Sequence, residues 1–420
     1  MEGMFDNCNN LEALDLSSFN TKSVKRMNYM FKGCKKLKSL DLKNFCTPNL
    51  ETMLEIFYDC NSLKILDMSN FNTSKIQDMS GLFFGCNALE SINIQNFDTS
   101  SVINMNIMFG NCFMLTSLNI SHFKTELVYT MHFMFGNCYS LTSLDISNFY
   151  TPLLEDMTNM FLNCFSLNYL DLSNLNTSKV RGFQSLFSGC QNLTNIKLSS
   201  FETSSVENME NMFYGCIKLE FLDLKNFDTR NVVNMGHMFE QCQSLTSLNL
   251  LHFDTSHVTN MDYMFYNCRS LQYLDVNNFT TENIDNIVAL FSYLESLTSL
   301  NLSNFKIYNK TNLNNIIYNS NPNLILCYNE SKMPSQFLSQ VEIYENSCKK
   351  LCIMNSKKYI PDIEMCVDNC FNETVYKYEY RNICYEECPI RTFLKSDSDY
   401  LCEGCPNYNN KDNLHINKLN

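Results

Sequence analysis

A repeat of fixed length dominates the sequence. Eleven cysteines stand 26 residues apart without an insertion, with a phenylalanine three residues before each and a leucine three residues after. The twelfth copy keeps Phe291 and Leu297 and has Leu294 in place of the cysteine. One unit of this size cannot cover its own apolar side, so consecutive units must stack into a solenoid. The repeat cysteines are Cys8, Cys34, Cys60, Cys86, Cys112, Cys138, Cys164, Cys190, Cys216, Cys242 and Cys268.

The spacing of apolar residues changes once within each unit. In the second unit it first follows one face of a short helix, at Met27, Met30, Phe31, Cys34 and Leu37. After Leu37 the apolar residues stand two positions apart. This spacing predicts a short strand with Leu40 and Leu42 pointing inward and Asp41 outward. We therefore predict an α/β repeat solenoid, leucine-rich-repeat-like, with a short helix and a short parallel strand per 26-residue coil. A small disulfide-rich domain follows it.

The clean copy MENMFYGCIKLEFLDLKNFDTRNVVN shows the pattern M-x-x-M-F-x-x-C-x-x-L-x-x-L-x-L-x-x-F. This unit resembles the repeat of the BspA-like leucine-rich-repeat surface proteins, and most closely their 26-residue subfamily with the Mycoplasma-lipoprotein-type repeat. The resemblance covers residues 1–306 and implies an extracellular solenoid used in adhesion or recognition, without implying a ligand. Ordinary leucine-rich repeats carry an asparagine where this chain has Phe19 and Phe45, so we do not expect their horseshoe curvature.

The outward strand position is Asp or Asn in eleven of the twelve copies, and Lys197 occupies it in the remaining one. Stacked about 5 Å apart, these side chains could form a ligand-binding face for calcium, a basic peptide or a glycan. The alternative is that they bond locally to the backbone and keep the strand face hydrated. The row consists of Asp15, Asp41, Asp67, Asn93, Asn119, Asp145, Asp171, Asp223, Asn249, Asp275 and Asn301.

The repeat cysteines lie on the apolar side of each unit. Adjacent coils could bring them close enough for disulfides, but cysteine on such a stripe usually behaves as a small buried hydrophobic residue. No histidine accompanies them at matching positions, which argues against zinc. We predict free, buried thiols, and an exposed position for Cys46, which lies outside the pattern.

A second period appears near the C-terminus. Four cysteine pairs follow one another, and their first members are 18 residues apart. So short a segment with few aliphatic residues cannot build an adequate core, which favours disulfides; zinc is the competing interpretation. The segment around Cys384, Cys388, Pro389 and Phe393 resembles growth-factor-receptor-like cysteine-rich modules. The disulfide candidates are Cys348, Cys352, Cys366, Cys370, Cys384, Cys388, Cys402 and Cys405, and their pairing stays open.

These patterns divide the chain into four parts. We predict the solenoid over residues 1–306, a C-terminal cap and connector over 307–345, the cysteine-rich module over 346–406 and a polar tail over 407–420. The first residues enter the repeat partway through a unit, without a signal peptide. We therefore expect a fragment whose longer form has a signal and perhaps an anchor.

Several classes of function lack support in the sequence. With 44 acidic against 31 basic residues and a net charge of −13, nucleic acid is a poor partner. No uninterrupted apolar stretch is long enough to cross a bilayer. Neither a nucleophile motif nor a metal-ligand or phosphate-binding motif is present, so we assign no catalytic residue, no metal and no cofactor.

We interpret the chain as a non-enzymatic cell-surface or secreted recognition and adhesion protein that binds a protein or glycan along the solenoid face. One alternative is the sensor ectodomain of a signalling receptor whose membrane and cytoplasmic parts are absent from this sequence. The other is an intracellular repeat scaffold with reduced thiols and a zinc-bound tail.

Overall fold

The computed structural model describes residues 1–354, 358–360, 365–367, 375, 378–380, 383–385, 392–394 and 401–404. They form two compact units. Unit 1 comprises Met1–Thr298, Asn304–Leu324 and Glu330–Tyr344. Unit 2 comprises Ser299–Ser303, Ile325–Asn329 and the described residues from Glu345 onward.

Unit 1 is a parallel solenoid, and its strands follow the repeat. They pair two by two, β1 with β2, β3 with β4, β5 with β6 and β7 with β8, and paired residues such as Leu66 and Ile92 lie one repeat apart. The strands are β1 (Ile65–Asp67), β2 (Ser91–Asn93), β3 (Ser117–Leu118), β4 (Ser143–Leu144), β5 (Tyr169–Asp171), β6 (Asn195–Lys197), β7 (Ser247–Asn249) and β8 (Tyr273–Asp275). The predicted solenoid with its short parallel strands is confirmed.

The predicted helix in each coil is wrong, because the segment before each cysteine folds into successive turns. In the second coil the N–H groups of residues 27, 29, 31 and 33 donate to carbonyl oxygens of the next coil. The N–H groups of residues 30, 32 and 34 instead close turns to the carbonyl three residues earlier. Successive turns also place an apolar side chain inward every three to four residues, so the same spacing fits both structures.

A left-handed residue before each cysteine explains why a helix cannot form there. The φ angle at this position lies between 53° and 75° in every coil. It is most often Gly, Asn or Asp, the residues that adopt this conformation at least cost. Gly33, Asp59 and Gly85 show the pattern in consecutive coils. The third residue of a type II turn needs a positive φ, whereas a right-handed helix excludes it.

The interior of unit 1 is built from continuous columns of identical residues. The phenylalanine of the repeat stacks on its counterpart in the next coil from Phe5 to Phe291, with ring centroids 5.4 to 6.1 Å apart. A buried threonine column adds polar contacts between coils. The Thr73 hydroxyl donates to the carbonyl of Asp98 at 2.9 Å and accepts from its N–H at 2.8 Å.

The coil register of unit 1 continues beyond residue 306, although the sequence pattern weakens there. Asn286 and Asn312, one repeat apart, form a parallel β-bridge. Ser320 occupies the position of the repeat cysteine, and its hydroxyl donates to the carbonyl of Phe291 at 2.7 Å. Helix α1 (Ser335–Val341) follows, with Phe337 and Val341 buried. The side-chain oxygen of Gln340, a residue of this helix, accepts the N–H of Ile316 at 3.0 Å, which joins the helix to the last coil.

Unit 2 combines a parallel sheet with short antiparallel pairs. Strand β10 (Ile325–Cys327) lies between β9 (Ser299–Asn301) and β11 (Glu345–Asn346), and helix α2 (Cys348–Met354) contacts β9 and β10. Strands β12 (Lys358–Ile360), β13 (Met365–Val367), β14 (Tyr378–Tyr380) and β15 (Ile383–Tyr385) form a second sheet. Strands β16 (Thr392–Leu394) and β17 (Cys402–Gly404) pair with each other. The predicted polar tail over 407–420 lies outside the described residues.

Candidate ligand-binding face

The strand face of unit 1 is formed by the outward side chains of the strands. Because strand side chains alternate, each copy contributes its Asp or Asn and the residue two positions earlier, such as Asp171 and Tyr169. The residue between them points into the core, where Leu170 is fully buried. We use "strand face" for these two outward columns.

The side chains of the predicted Asp/Asn row form local hydrogen bonds to the backbone that follows the strand position. In ten of its eleven members the side-chain oxygen accepts the backbone N–H two residues further on, as Asp67 does from Ser69 at 2.9 Å. Asn119 instead accepts the Ser121 hydroxyl. This is the local bonding that favours Asp and Asn in turns. The alternative of local backbone bonding therefore describes the geometry of the row, and ligand binding by the row stays a prediction.

Hydrogen bonds lower the pKa of several carboxyls of the row. The N–H of Ser17 lowers the pKa of Asp15, and the N–H of Ser69 does the same at Asp67. Lys197, whose ammonium lies 2.7 Å from Asp171, is the main cause of the strongly lowered pKa of that carboxyl. Lys197 therefore neutralises its neighbour instead of merely interrupting the row.

The members of the row differ in exposure. Asn93 and Asp171 are half-buried, Asp275 is buried in unit 1 and Asn301 is buried in unit 2. The remaining members are exposed: Asp15, Asp41, Asp67, Asn119, Asp145, Asp223 and Asn249. A contact surface built on the row can thus use its exposed members and Asp171 far more than the two buried ones.

Sequence reasoning missed the neighbouring outward column, which carries large exposed apolar side chains. Phe221 is 68% exposed, Ile65 63%, Tyr273 42% and Tyr169 40%. Most other copies have serine at this position, for example Ser143 and Ser247. The signal was available, because residues two apart on a strand share a face. The residue types at the interior positions are nearly the same in every copy, whereas those in this outward column vary.

A cavity of about 340 Å³ opens in the strand face beside Phe221. Its lining includes residues 194–199 together with Phe221, Asp223 and Lys225. Strand β6 pairs with β5 on one side, and residues 221–223 on its other side form no strand. Ile196, the inward residue of β6, is consequently only half-buried. The cavity therefore lies where the parallel pairing is interrupted.

Two wide, polar cavities of about 810 and 590 Å³ lie elsewhere on unit 1 and share Glu155, Arg181, Glu207 and Val233 as lining residues. They coincide with an interruption of the bridges between coils, since no bridge joins Asp156 to Gly182 within the described residues. No aromatic side chain lines them.

The repeat cysteines form a ladder of hydrogen bonds in the core. From Cys34 to Cys268 each thiol donates to the carbonyl oxygen of the phenylalanine in the preceding coil, at 3.1 to 3.3 Å. Burial raises the pKa of these thiols, to about 12 at Cys138 and Cys190. The prediction of free, buried thiols is confirmed for these ten cysteines, whereas Cys8 is free and exposed. Cys46 is exposed as predicted.

The disulfide candidates lie in unit 2. Cys348 bonds to Cys327, a residue of β10 that the 18-residue period does not include. Cys352 and Cys384 are also disulfide-bonded. Cys366 lies in β13 and Cys402 in β17, and Cys370, Cys388 and Cys405 lie outside the described residues. That these remaining candidates form disulfides stays a prediction, and their pairing stays open.

In the described part of the chain, no group of three or more His, Cys, Asp or Glu side chains is placed to hold a metal ion. The helices found there are also too short or too polar to cross a membrane.

The parallel coils, the apolar columns and the short parallel strands in most copies define a leucine-rich-repeat-type solenoid protein. The chain belongs to the family described as "Mycoplasma protein of unknown function, DUF285", which matches it over residues 1–65, 52–169, 140–247 and 218–324. No curated protein matches the chain.

Two solved structures are similar to it. One is a leucine-rich cell surface protein from Faecalibacterium prausnitzii, with 16% identity, coverage of 82% of this chain and 79% of that chain, and a TM-score of 0.33. The other is a leucine-rich-repeat protein from Bacteroides ovatus, with 20% identity, coverage of 72% and 82%, and a TM-score of 0.29.

Proposed function

We propose that this chain is a non-enzymatic recognition protein that acts outside the cell or at its surface and binds a protein or glycan along the strand face. The observation that carries the proposal is the contrast between the two kinds of column. Interior columns repeat one residue type and are buried, while the outward column presents Ile65, Tyr169, Phe221 and Tyr273 to solvent. Exposed aromatic groups set among polar neighbours on one ordered face offer apolar contact points to a ligand.

The disulfide of unit 2 supports the location. Cys327 and Cys348 are bonded, and disulfides form and persist mainly in oxidising compartments outside the cytosol. An intracellular scaffold with reduced thiols is harder to reconcile with this bond.

The test compares two lysine pairs on the full chain. Ser143→Lys with Ser247→Lys adds two long charged side chains to the strand face, at exposed positions of β4 and β7. The control, Ser100→Lys with Ser204→Lys, adds the same charge at exposed turn positions with the same separation along the repeat. The probes are immobilised collagens, laminin and a panel of neutral and acidic glycans.

We expect the strand-face pair to weaken binding to a captured protein or neutral glycan by about tenfold or more, because a misplaced charge at an interface is costly. The control pair should bind like the wild type. Equal losses in both pairs, or no loss in either, would remove the strand face as the binding surface.

A further inference from the structure

We infer that the strand face around Phe221 binds a neutral, extended glycan, with Tyr169, Phe221 and Tyr273 as three successive stacking platforms. This inference rests on the proposed function and names the ligand class of that same face. Four observations carry it: the spacing of the three rings, the orientation of the two tyrosines, the charge balance of the cavity and the shape of the opening.

The three rings stand on alternate coils. Tyr169, Phe221 and Tyr273 are each two repeats apart, while Asn195 and Ser247 occupy the coils between them. Two strand spacings amount to about 10 Å. That distance matches two β-linked pyranose rings of an extended glycan, so every second sugar would meet an aromatic ring. An extended peptide presents alternate side chains at a shorter interval, about 7 Å, and would fall out of register.

The tyrosine rings are held along the face rather than standing away from it. The Tyr169 hydroxyl donates to the carboxylate of Asp171 at 3.1 Å, and the Tyr273 hydroxyl donates to that of Asp275 at 3.3 Å. Each partner lies two residues further along the same strand, so the ring must lean in the strand direction to reach it. A ring in this position offers a flat surface, which at Tyr169 is shared with the Lys197 ammonium, 5.8 Å from the ring centroid. The electron-rich face of an aromatic ring attracts the C–H groups on one side of a sugar ring.

The charges in and beside the cavity neutralise one another. Lys197 pairs with Asp171 at 2.7 Å, and Lys225 pairs with Asp223 at 3.0 Å. A polyanion would have to break these pairs to use the lysines, and a cationic peptide would have to break them to use the carboxylates. A neutral ligand with many hydroxyls can accept and donate hydrogen bonds at the same groups without separating them. The charge balance therefore favours a neutral glycan over a charged polymer.

The opening has room for one sugar unit next to the most exposed ring. The cavity of about 340 Å³ lies at the coil that carries Phe221, between the coils of Tyr169 and Tyr273. Its lining includes the side chains of Asn195, Lys197 and Asn226, which are hydrogen-bonding groups. An apolar platform with a few convergent polar groups is the usual composition of a small-ligand site.

The test measures binding of the full chain to two soluble neutral probes, cellohexaose and chitohexaose, by titration calorimetry. The di-, tetra- and hexasaccharides of each series are compared. The platforms span four strand spacings, about 20 Å, and would meet the first, third and fifth sugars, so affinity should rise from the di- to the tetrasaccharide and again to the hexasaccharide. Phe221→Ala should weaken hexasaccharide binding about tenfold, and Tyr169→Ala by a smaller factor.

Tyr150→Ala is the matched control, because Tyr150 is 54% exposed and lies in the connecting segment after β4, outside the two columns of the strand face. It should bind like the wild type. All three altered side chains are exposed, so circular dichroism should show wild-type folding for each variant.

Three outcomes would overturn the inference: no binding of either probe series, equal affinity for the di- and hexasaccharide, or equal losses in Phe221→Ala and Tyr150→Ala. Tighter binding of a heparin hexasaccharide than of the neutral probes would also overturn it. If the strand-face lysine pair abolishes capture of collagen or laminin while no neutral probe binds, the recognition function stands and the glycan assignment falls.

Discussion

Cysteine has opposite roles in the two units of this molecule. In unit 1, ten buried thiols stay reduced, and each donates to a backbone carbonyl of the preceding coil. In unit 2, Cys327 and Cys348 form a covalent bond beside a small cluster that contains Ile325 and Leu351. Because the bonded cysteines are buried like the free ones, the geometry around each thiol, and not burial or residue type, decides whether a cysteine acts as a core residue or as a crosslink.

The size of the available core explains the contrast. Unit 1 stacks coil on coil, so columns such as the phenylalanine stack bury apolar surface along its whole length. Unit 2 has short strands and a small apolar cluster. Small domains with little core commonly depend on disulfides. The predictions below test this division, from the largest expected effect to the smallest.

Phe135→Ala should give the largest loss. The side chain is fully buried and stacks between Phe109 and Phe161 at 5.9 and 5.6 Å. We expect the free energy of unfolding to fall by about 3–5 kcal/mol, because the cavity forms inside a continuous column. Urea denaturation followed by circular dichroism measures it. Phe221→Ala, at an exposed position, is the control and should stay within about 0.5 kcal/mol of wild type; similar losses in both variants would refute the role of the stack.

Removal of the disulfide should come next. Replacing Cys327 and Cys348 together by alanine opens a crosslink between residues 21 apart in sequence. We expect unit 2 to lose about 3 kcal/mol, because the unfolded segment regains conformational freedom. Protease susceptibility of unit 2, read by mass spectrometry, checks this. Cys46→Ala, which removes an exposed free thiol, should leave the digestion pattern unchanged; an unchanged pattern in the double variant would mean that the crosslink is dispensable.

The loss of one thiol–carbonyl hydrogen bond in unit 1 should lower the free energy of unfolding by a smaller amount. Cys164→Ala removes the bond to the carbonyl of Phe135 and should cost about 1–2 kcal/mol in urea denaturation. Cys164→Ser keeps a donor at the same place and should cost less than the alanine variant. Ser320 already makes the equivalent bond to Phe291. A serine variant as unstable as the alanine variant would show that the sulfur packs rather than donates.

Thiol labelling should distinguish the exposed from the buried cysteines of unit 1 by their rates of reaction. Cys8 and Cys46 are exposed and should react with a thiol reagent quickly. The buried thiols should react more than a hundredfold more slowly, because they are shielded and their pKa is raised, to about 12 at Cys190 and Cys268. Rapid labelling of Cys190 in the folded protein would contradict the closed core.

Much of the fold could be predicted from the repeat, because the spacing of apolar residues within one unit indicates which side chains are buried. Phe31, Cys34 and Leu37 were predicted to lie inside, and all three are fully buried. The helix assignment failed because three-to-four-residue spacing also fits consecutive turns. Gly33 and its counterparts, each with a positive φ, were the available signal against a helix.

The candidate site was predictable only in part. The alternation around Leu66 placed Asp67 outside, where the structure has it exposed. The exposed Phe221 was overlooked because its position carries different residue types in different copies, and a position that varies was not recognised as part of a surface. Cys327 was overlooked as a disulfide partner because it lies in β10, outside the 18-residue period and 21 residues before the cysteine that it meets.

The sequence alone determined the solenoid, its 26-residue coil and the residues that face its interior, since apolar periodicity acts within a single unit. Only the tertiary structure decided the backbone of residues 27–34, whose N–H groups are satisfied partly by the next coil. It also decided which outward residues stay exposed and which cysteines meet. These choices depend on contacts between residues far apart in sequence, and no local pattern records such contacts.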